Sequence, residues 1–160
     1  MNGLKAHPNE QLINDFYTAF ARLDWQAMSD CYHPEIEFSD PVFEGLQAVD
    51  TVHMWHMLCD SAEQFELSHD KVQADDTHGS ACWQATYVYP ATGRKVKNLI
   101  FAEFQFKNGK ICRHTDHFSF WRWSRMALGP LGLLLGWSGR FRHKVQQRAM
   151  LALRRFKRGL

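Results

Sequence analysis

What the chain lacks narrows it first. Its four cysteines, Cys31, Cys59, Cys82 and Cys112, are scattered, and no two form a CxxC pair. Single dispersed thiols exclude a zinc or disulfide framework and read as small buried hydrophobes of a reducing cytoplasm. There is no glycine-rich phosphate loop, so no organic cofactor is implied. The first ten residues, MNGLKAHPNE, hold no apolar stretch, and no secretory leader is expected. The apolar stretch Met126–Trp137 is 12 residues long and broken by Gly129-Pro130, short of the roughly 20 that a bilayer-spanning helix needs. Residues 121–160 contain no carboxylate at all, although they carry 10 Lys/Arg. All 17 Asp/Glu lie in residues 1–120, against 9 Lys/Arg there, so an acidic body of net −8 precedes a basic tail of net +10. That asymmetry predicts two units, a domain over residues 1–121 and an extension over 122–160 with a separate job.

What is present is a globular composition, 45% hydrophobic and 14% aromatic over 160 residues, enough for one real core. A first helix is predicted from Asn9 as cap, with Leu12, Ile13, Phe16, Tyr17 and Phe20 at helical spacing. A short second helix, capped by Asp24, stops at His33-Pro34. Ile36, Phe38 and Asp40 then alternate with polar residues as a strand ending at Pro41. A third helix is expected over about 45–62, with Leu46, Val49, Val52, His53, His56 and Cys59 near one face. From Phe65 the period changes to two, giving strands at about 65–74, 80–89, 95–106 and 111–121, the last two joined by an Asn108-Gly109 hairpin. Helices first and an antiparallel meander after them make an α+β fold, with the helices covering one sheet face.

The last strand carries the most information. Cys112, His114, Asp116, Phe118 and Phe120 share its apolar face, which sets an ionisable Asp116 and its neighbour His114 among rings. Desolvation there would raise the carboxyl pKa, as at catalytic sites; the competing reading has Asp116 paired and merely anchoring the sheet. Asp40 is a second carboxylate among apolar residues, in FSDPVF, where it also suits a plain Asp-Pro turn. His53 and His56 share a helix face and could join His114 and Asp116 around a metal, but the pattern matches no metal motif, and no metal is assigned.

The stretches FYTAFARLDWQAMSDCYHPEIEFSDPVFEG, GRKVKNLIFAEFQFKNGKI and RHTDHF resemble the nuclear transport factor 2-like superfamily, which includes ketosteroid isomerase and the SnoaL-like polyketide cyclases. The resemblance spans about residues 9–121. It implies a cone, a curved sheet wrapped around three N-terminal helices, with a pocket at the wide end and a sheet-mediated homodimer. It also implies that Asp40 matches the isomerase base, while the two oxyanion donors of that enzyme fall on Phe16 and Ala102, with Tyr17 one residue out of register. Steroid isomerisation by that mechanism is therefore disfavoured. Asp116 matches the acid/base of SnoaL-like cyclases. The Arg-x-Asp of limonene epoxide hydrolase-like members is absent from CWQATYVY. The implied site has Asp116 as main acid/base, Asp40 as second carboxylate and His114 as orienting partner. Phe16, Tyr17, Phe20 and Trp55 would line the pocket, together with His56, Ala102, Phe118 and Phe120.

In the tail, helical spacing sets Phe141, Val145, Ala149, Ala152, Leu153 and Phe156 against Arg140, Lys144, Arg148, Arg154 and Arg155. This basic amphipathic helix, with Trp137 before it, suits an anionic membrane surface, the inner face for a cytoplasmic protein; alternatively, its stripe packs on its own domain or on a dimer partner. No nucleic-acid motif accompanies the basic cluster. Three functions stay open: an isomerase- or cyclase-type enzyme acting on a hydrophobic carbonyl compound, a non-catalytic binder of lipids or other apolar molecules, and a purely structural or dimerising module, which would have no accessible pocket.

Overall fold

The computed structural model describes residues 5–160. The reading of the N-terminus as leaderless rests in part on residues 1–4, which lie outside the described residues. Helix α1 (Pro8–Ala21) is capped by His7, not by Asn9. The His7 ring accepts from the Asn9 amide, Glu10 reaches back to the His7 amide, and Pro8 sits in the first turn, where its missing N–H costs nothing. The side chain of Asn9, not needed as a cap, donates instead to the carbonyl of Asp75 at 2.8 Å and ties α1 to a strand turn. Ile13, Phe16, Tyr17 and Phe20 form the buried stripe of α1, as their spacing predicts. Helix α2 (Trp25–Asp30) is capped by Asp24 and ends at Cys31, two residues before the expected stop.

Strand β1 (Tyr32–Ser39) runs through His33-Pro34 instead of starting after them. Its parallel pairing with the last strand skips between Tyr32 and Glu37, which accommodates a proline that has no N–H to donate. Leu46 and Gln47 form a two-residue strand, β2, against Phe38 and Glu37. Helix α3 therefore starts late, at Ala48, and runs to Ser61. Its buried face is Thr51, Met54, Trp55 and Cys59, while Val49 is exposed. The helix is thus rotated from the expected face, because Leu46 is held extended and accepts a hydrogen bond from Thr51 Oγ1 at 3.1 Å.

Strands β3 (Glu63–Ala74), β4 (His78–Tyr89), β5 (Arg94–Lys107) and β6 (Lys110–His117) complete a six-stranded sheet in the order β2-β1-β6-β5-β4-β3. It is antiparallel except for β1 against β6. The sheet curves without closing around α1–α3, the cone expected. Asn108 and Gly109 take φ of 52° and 73° in the β5–β6 turn, the left-handed pair that an Asn-Gly hairpin supplies.

β6 stops at His117, earlier than predicted, because Ser119 caps helix α4 (Phe120–Leu128). Phe118 lies in the connection and Phe120 opens the helix, so neither continues the strand face. Helix α5 (Pro130–Leu135) and helix α6 (Gly139–Arg158) follow. α6 lies over α3 and the mouth of the cone, with Leu153 buried and Phe141, Val145, Ala149 and Phe156 half-buried. The apolar stripe of α6 thus packs on its own chain, one of the three placements its sequence allows, while Ala152 is exposed on one side of it. Among the described residues no helix is long and apolar enough to cross a membrane.

Candidate functional site

β6 lies between β1 and β5, so its inward side chains point at the centre of the cone. Gln105 pairs with Arg113 and Phe106 with Ile111, which leaves Cys112 as an extra residue between them. This irregularity turns Cys112 partly outward and brings Ile111, His114 and Asp116 inward together. His114 is fully buried among Phe16, Phe38 and Phe104, with ring centroids 5.4, 5.1 and 4.6 Å away.

A chain of hydrogen bonds runs through this histidine. Trp55 Nε1 can only donate, and it donates to Tyr32 Oη at 2.8 Å. Tyr32 Oη lies 2.8 Å from His114 Nδ1, and His114 Nε2 lies 3.0 Å from Asp116 Oδ1. Because Asp116 Oδ1 is the acceptor of an indole N–H as well, we assign the ring proton to Nε2, which donates to that oxygen, so that Nδ1 accepts from Tyr32 Oη. Trp83 Nε1 donates to the same oxygen at 3.3 Å. Four side chains from β1, α3, β4 and β6 therefore orient one carboxyl group. Burial and the nearby Asp116 charge hold the Tyr32 hydroxyl well above its ordinary pKa, so it stays a donor. Asp116 Oδ2 has no protein partner among the described residues, and Asp116 lines the cavity.

Asp40 faces the same cavity from the loop after β1. Its Oδ1 accepts from the amides of Val42 and Phe43, both at 2.6 Å, and its own amide donates to the Phe43 carbonyl at 2.7 Å. This is a closed Asx turn locked by Pro41. α6 clamps it from outside, where Arg142 Nε and Gln146 Nε2 each donate to the Pro41 carbonyl at 3.1 Å. Burial pushes the Asp40 carboxyl up from 3.8 to about 7. The two amides oppose the rise, and the Asp116 charge adds to it.

The cavity has a volume of about 400 Å³, the size of a site for a small organic molecule. Phe20, Met54, Trp55, Phe65 and Trp83 wall its inner end. Trp123 of α4 and Val145, Ala149 and Ala152 of α6 close its outer side. Among the polar residues of the wall that the sequence does not point to, Tyr87 and Asn98 have open hydrogen-bonding capacity. Tyr87 Oη accepts from Trp123 Nε1 at 3.0 Å, leaving its own hydrogen without a protein acceptor. Burial raises its pKa to about 12. Asn98 is buried, lines the cavity and makes no side-chain hydrogen bond among the described residues. Buried amides are almost always satisfied, so an amide left open toward a cavity is free to bond a ligand or a water there. Both carry a signal in the alternation. Tyr87 follows Ala81, Trp83 and Ala85 on one face of β4, and Asn98 stands between Val96 and Ile100 on one face of β5.

Of the eight residues expected in the pocket wall, Phe20, Trp55 and Phe118 line the cavity. Phe16, Tyr17 and Ala102 are core residues behind it. Phe120 joins Val96, Trp123 and Ala127 in a separate cluster beneath α4. His56 stacks on Trp25 with centroids 4.0 Å apart and pairs with Asp60, turned away from His114. His53 Nδ1 is buried without a partner. Among the described residues no three His, Cys, Asp or Glu side chains converge as a metal site.

A family model, the SnoaL-like domain, matches residues 13–114. No curated protein matches the sequence. Among solved structures, an NTF2-like protein of unknown function from Burkholderia pseudomallei is similar, at 18% identity over 76% of this chain and 98% of the other, with a TM-score of 0.66. An LEH-like epoxide hydrolase from M. tuberculosis shares 14% identity over 80% of this chain and 96% of its own, with a TM-score of 0.65. A candidate polyketide cyclase from Xanthomonas campestris shares 20% identity over 75% and 96%, with a TM-score of 0.62. At these identities the likeness establishes the fold and nothing finer.

Proposed function

The chain belongs to the SnoaL-like domain family, and on that footing we propose that its cavity is a cofactor-independent acid/base site of the isomerase or cyclase type for a small hydrophobic carbonyl compound. The observation that carries this reading is the pairing of two carboxyl groups in one apolar cavity, one oriented by His114 and the other held to a pKa of about 7. The two are kept chemically distinct, as a proton-transfer site needs. Asp116 takes a proton from a carbon beside the carbonyl, leaving an enolate and a carboxylic acid. Tyr87 and Asn98 hydrogen-bond the oxygen on which charge develops, the role for which the two family positions, Phe16 and Ala102, have no donor. Asp40, protonated below about pH 7, returns a proton to a second carbon or oxygen. Water in the cavity carries the proton from Asp116 to Asp40 to close the cycle. The outer face of β5, with Leu99 and Phe101 exposed, is where a homodimer contact belongs.

Two measurements test the reading. With 2-tetralone as probe, the protein should speed deuterium uptake at the carbons flanking the carbonyl, and Asp116→Asn should abolish the effect while keeping probe affinity. No acceleration over buffer would refute the acid/base role. Mass spectrometry of solvent extracts from gently purified protein then separates enzyme from binder. A defined carbonyl or polyene compound enriched in Asp116→Asn supports turnover, whereas phospholipid or fatty acid, equal in both samples, points to a non-catalytic carrier.

A further inference from the structure

Helix α5 owes its position to two glycines. A Cβ on Gly132 would stand 1.9 Å from the Ser124 carbonyl oxygen, and one on Gly136 would stand 2.3 Å from Ser124 Oγ. Only hydrogen at both positions lets α5 lie directly on α4, where Ser124 is fully buried. Trp121 Nε1 fastens the pair by donating to the Leu133 carbonyl at 3.2 Å. With its glycine side turned inward, α5 turns its leucines outward. Leu131, Leu133, Leu134 and Leu135 are all exposed, and the Trp137 side chain beside them is 78% exposed. The Trp137 indole donates to the Leu134 carbonyl at 2.8 Å, which orders the ring.

An ordered, contiguous apolar patch on the surface marks an interaction site. Its surroundings define the partner. Arg122 and Arg125 precede it on α4, and Arg140 and Lys144 follow it on α6; among the described residues none of the four has a carboxylate within ion-pair distance. The segment from 121 onward holds no carboxylate. A second copy would meet this patch with the same patch, since a two-fold contact is self-complementary, and would bring unpaired arginines to face arginines. An anionic bilayer supplies an apolar phase and negative headgroups together. Exposed tryptophan suits the boundary between them.

We propose that α5 and Trp137 form a docking surface for an anionic phospholipid membrane, flanked by the cations of α4 and α6. Contact is made through the leucines of α5, not through the α6 stripe, which is occupied by the cavity and the core. The surface is coupled to the cavity by short links. Thr92 Oγ1 donates to the Ala127 carbonyl at 2.5 Å and Arg94 Nε to the Met126 carbonyl at 2.9 Å. These bonds tie α4 to the turn that brings Pro90 and Ala91 into the cavity wall. The docking surface stands whether or not the cavity catalyses a reaction.

The test is flotation of the full-length protein with vesicles at low salt. Native protein should float with phosphatidylcholine vesicles containing phosphatidylglycerol and stay behind with phosphatidylcholine alone. Leu134→Ser/Trp137→Ser, both at exposed positions, should lower partitioning about tenfold or more without shifting the melting temperature. Arg122→Gln/Arg140→Gln should weaken the response to phosphatidylglycerol. Failure of the native protein to float, or equal flotation of the leucine–tryptophan variant, overturns the proposal. So does a native dimer that this variant turns into a monomer, since the patch would then belong to a second copy.

Discussion

Replacing Asp40 with asparagine should stabilise the protein at neutral pH while abolishing the proposed proton transfer. The carboxyl of Asp40 has an ordinary pKa of 3.8 and is pushed to about 7 in the fold by burial, against the pull of two backbone amides. The raised folded value fixes the sign. Below pH 3.8 both folded and unfolded chains hold the proton, and no stability is lost. Between 3.8 and about 7 the unfolded chain releases its proton while the folded one keeps it, so stability falls by about 1.4 kcal/mol per pH unit. Above about 7 the loss is complete, at roughly 4 kcal/mol. Asparagine never ionises, yet its Oδ1 can still accept from the Val42 and Phe43 amides. Urea unfolding of both proteins at about pH 4.5, 6 and 8 is the assay. The variant should gain little at about pH 4.5 and up to about 4 kcal/mol at about pH 8, a large part of what holds a small domain together. A stability difference that stays constant across that range would refute the reasoning, because it would mean that Asp40 ionises alike in both states.

Three further outcomes follow from the same geometry. If Asp40 is the proton donor, the rate of deuterium uptake should fall as pH rises through about 7 and the group ionises; a rate that climbs through that window would assign it as the base instead. Tyr87→Phe should lower turnover by roughly 10²–10³-fold, the usual effect of losing one donor to a developing oxyanion, with probe affinity measured by fluorescence little changed. Tyr32→Phe strands both the Trp55 indole and His114 Nδ1 in the core, which should cost about 1–3 kcal/mol in denaturant unfolding. It also frees the His114 tautomer, so turnover should fall even where the variant remains folded.

Much of the fold can be read from periodicity, and the departures have local causes. The stripe of α1 and the Asn108-Gly109 hairpin follow from spacing and turn chemistry alone. The cap on α1 differs from expectation because His7 can use a ring nitrogen as a Ser or Asp uses an oxygen, a choice that Asn9 masks in sequence. The face of α3 differs because two residues before it are drawn into a strand, which shifts the start and so the rotation of every later side chain. In the site, Asp116 and His114 stand out as ionisable residues on an apolar face. The chain that orients them does not, because Tyr32, Trp55 and Trp83 come from three other elements and read simply as core. Tyr87 and Asn98 break the apolar alternation of β4 and β5, a signal equal in kind to the one that exposes Asp116.

The placement of the tail bears on how the site works. Residues after 121 differ in charge from everything before them, which suggests a separate unit, yet three side chains of α6 and one of α4 stand in the cavity wall. α6 also holds the turn that carries Asp40, through Arg142 and Gln146 on one carbonyl. Burial raises the Asp40 pKa, and α6 supplies part of the wall around the cavity that Asp40 faces, while the Arg142 charge on the same helix pulls the pKa back down. In the proposed site the basic helix therefore acts both as cavity wall and, through the turn that carries Asp40, on the acid/base pair. Truncation after residue 138 should return Asp40 toward the ordinary carboxylate range and, with it, abolish the pH-dependent stability gain of Asp40→Asn. If the truncated protein still folds by circular dichroism and the pH-dependent gain persists undiminished, desolvation by α6 is not the cause of the raised pKa, and the walls supplied by the sheet would have to account for it.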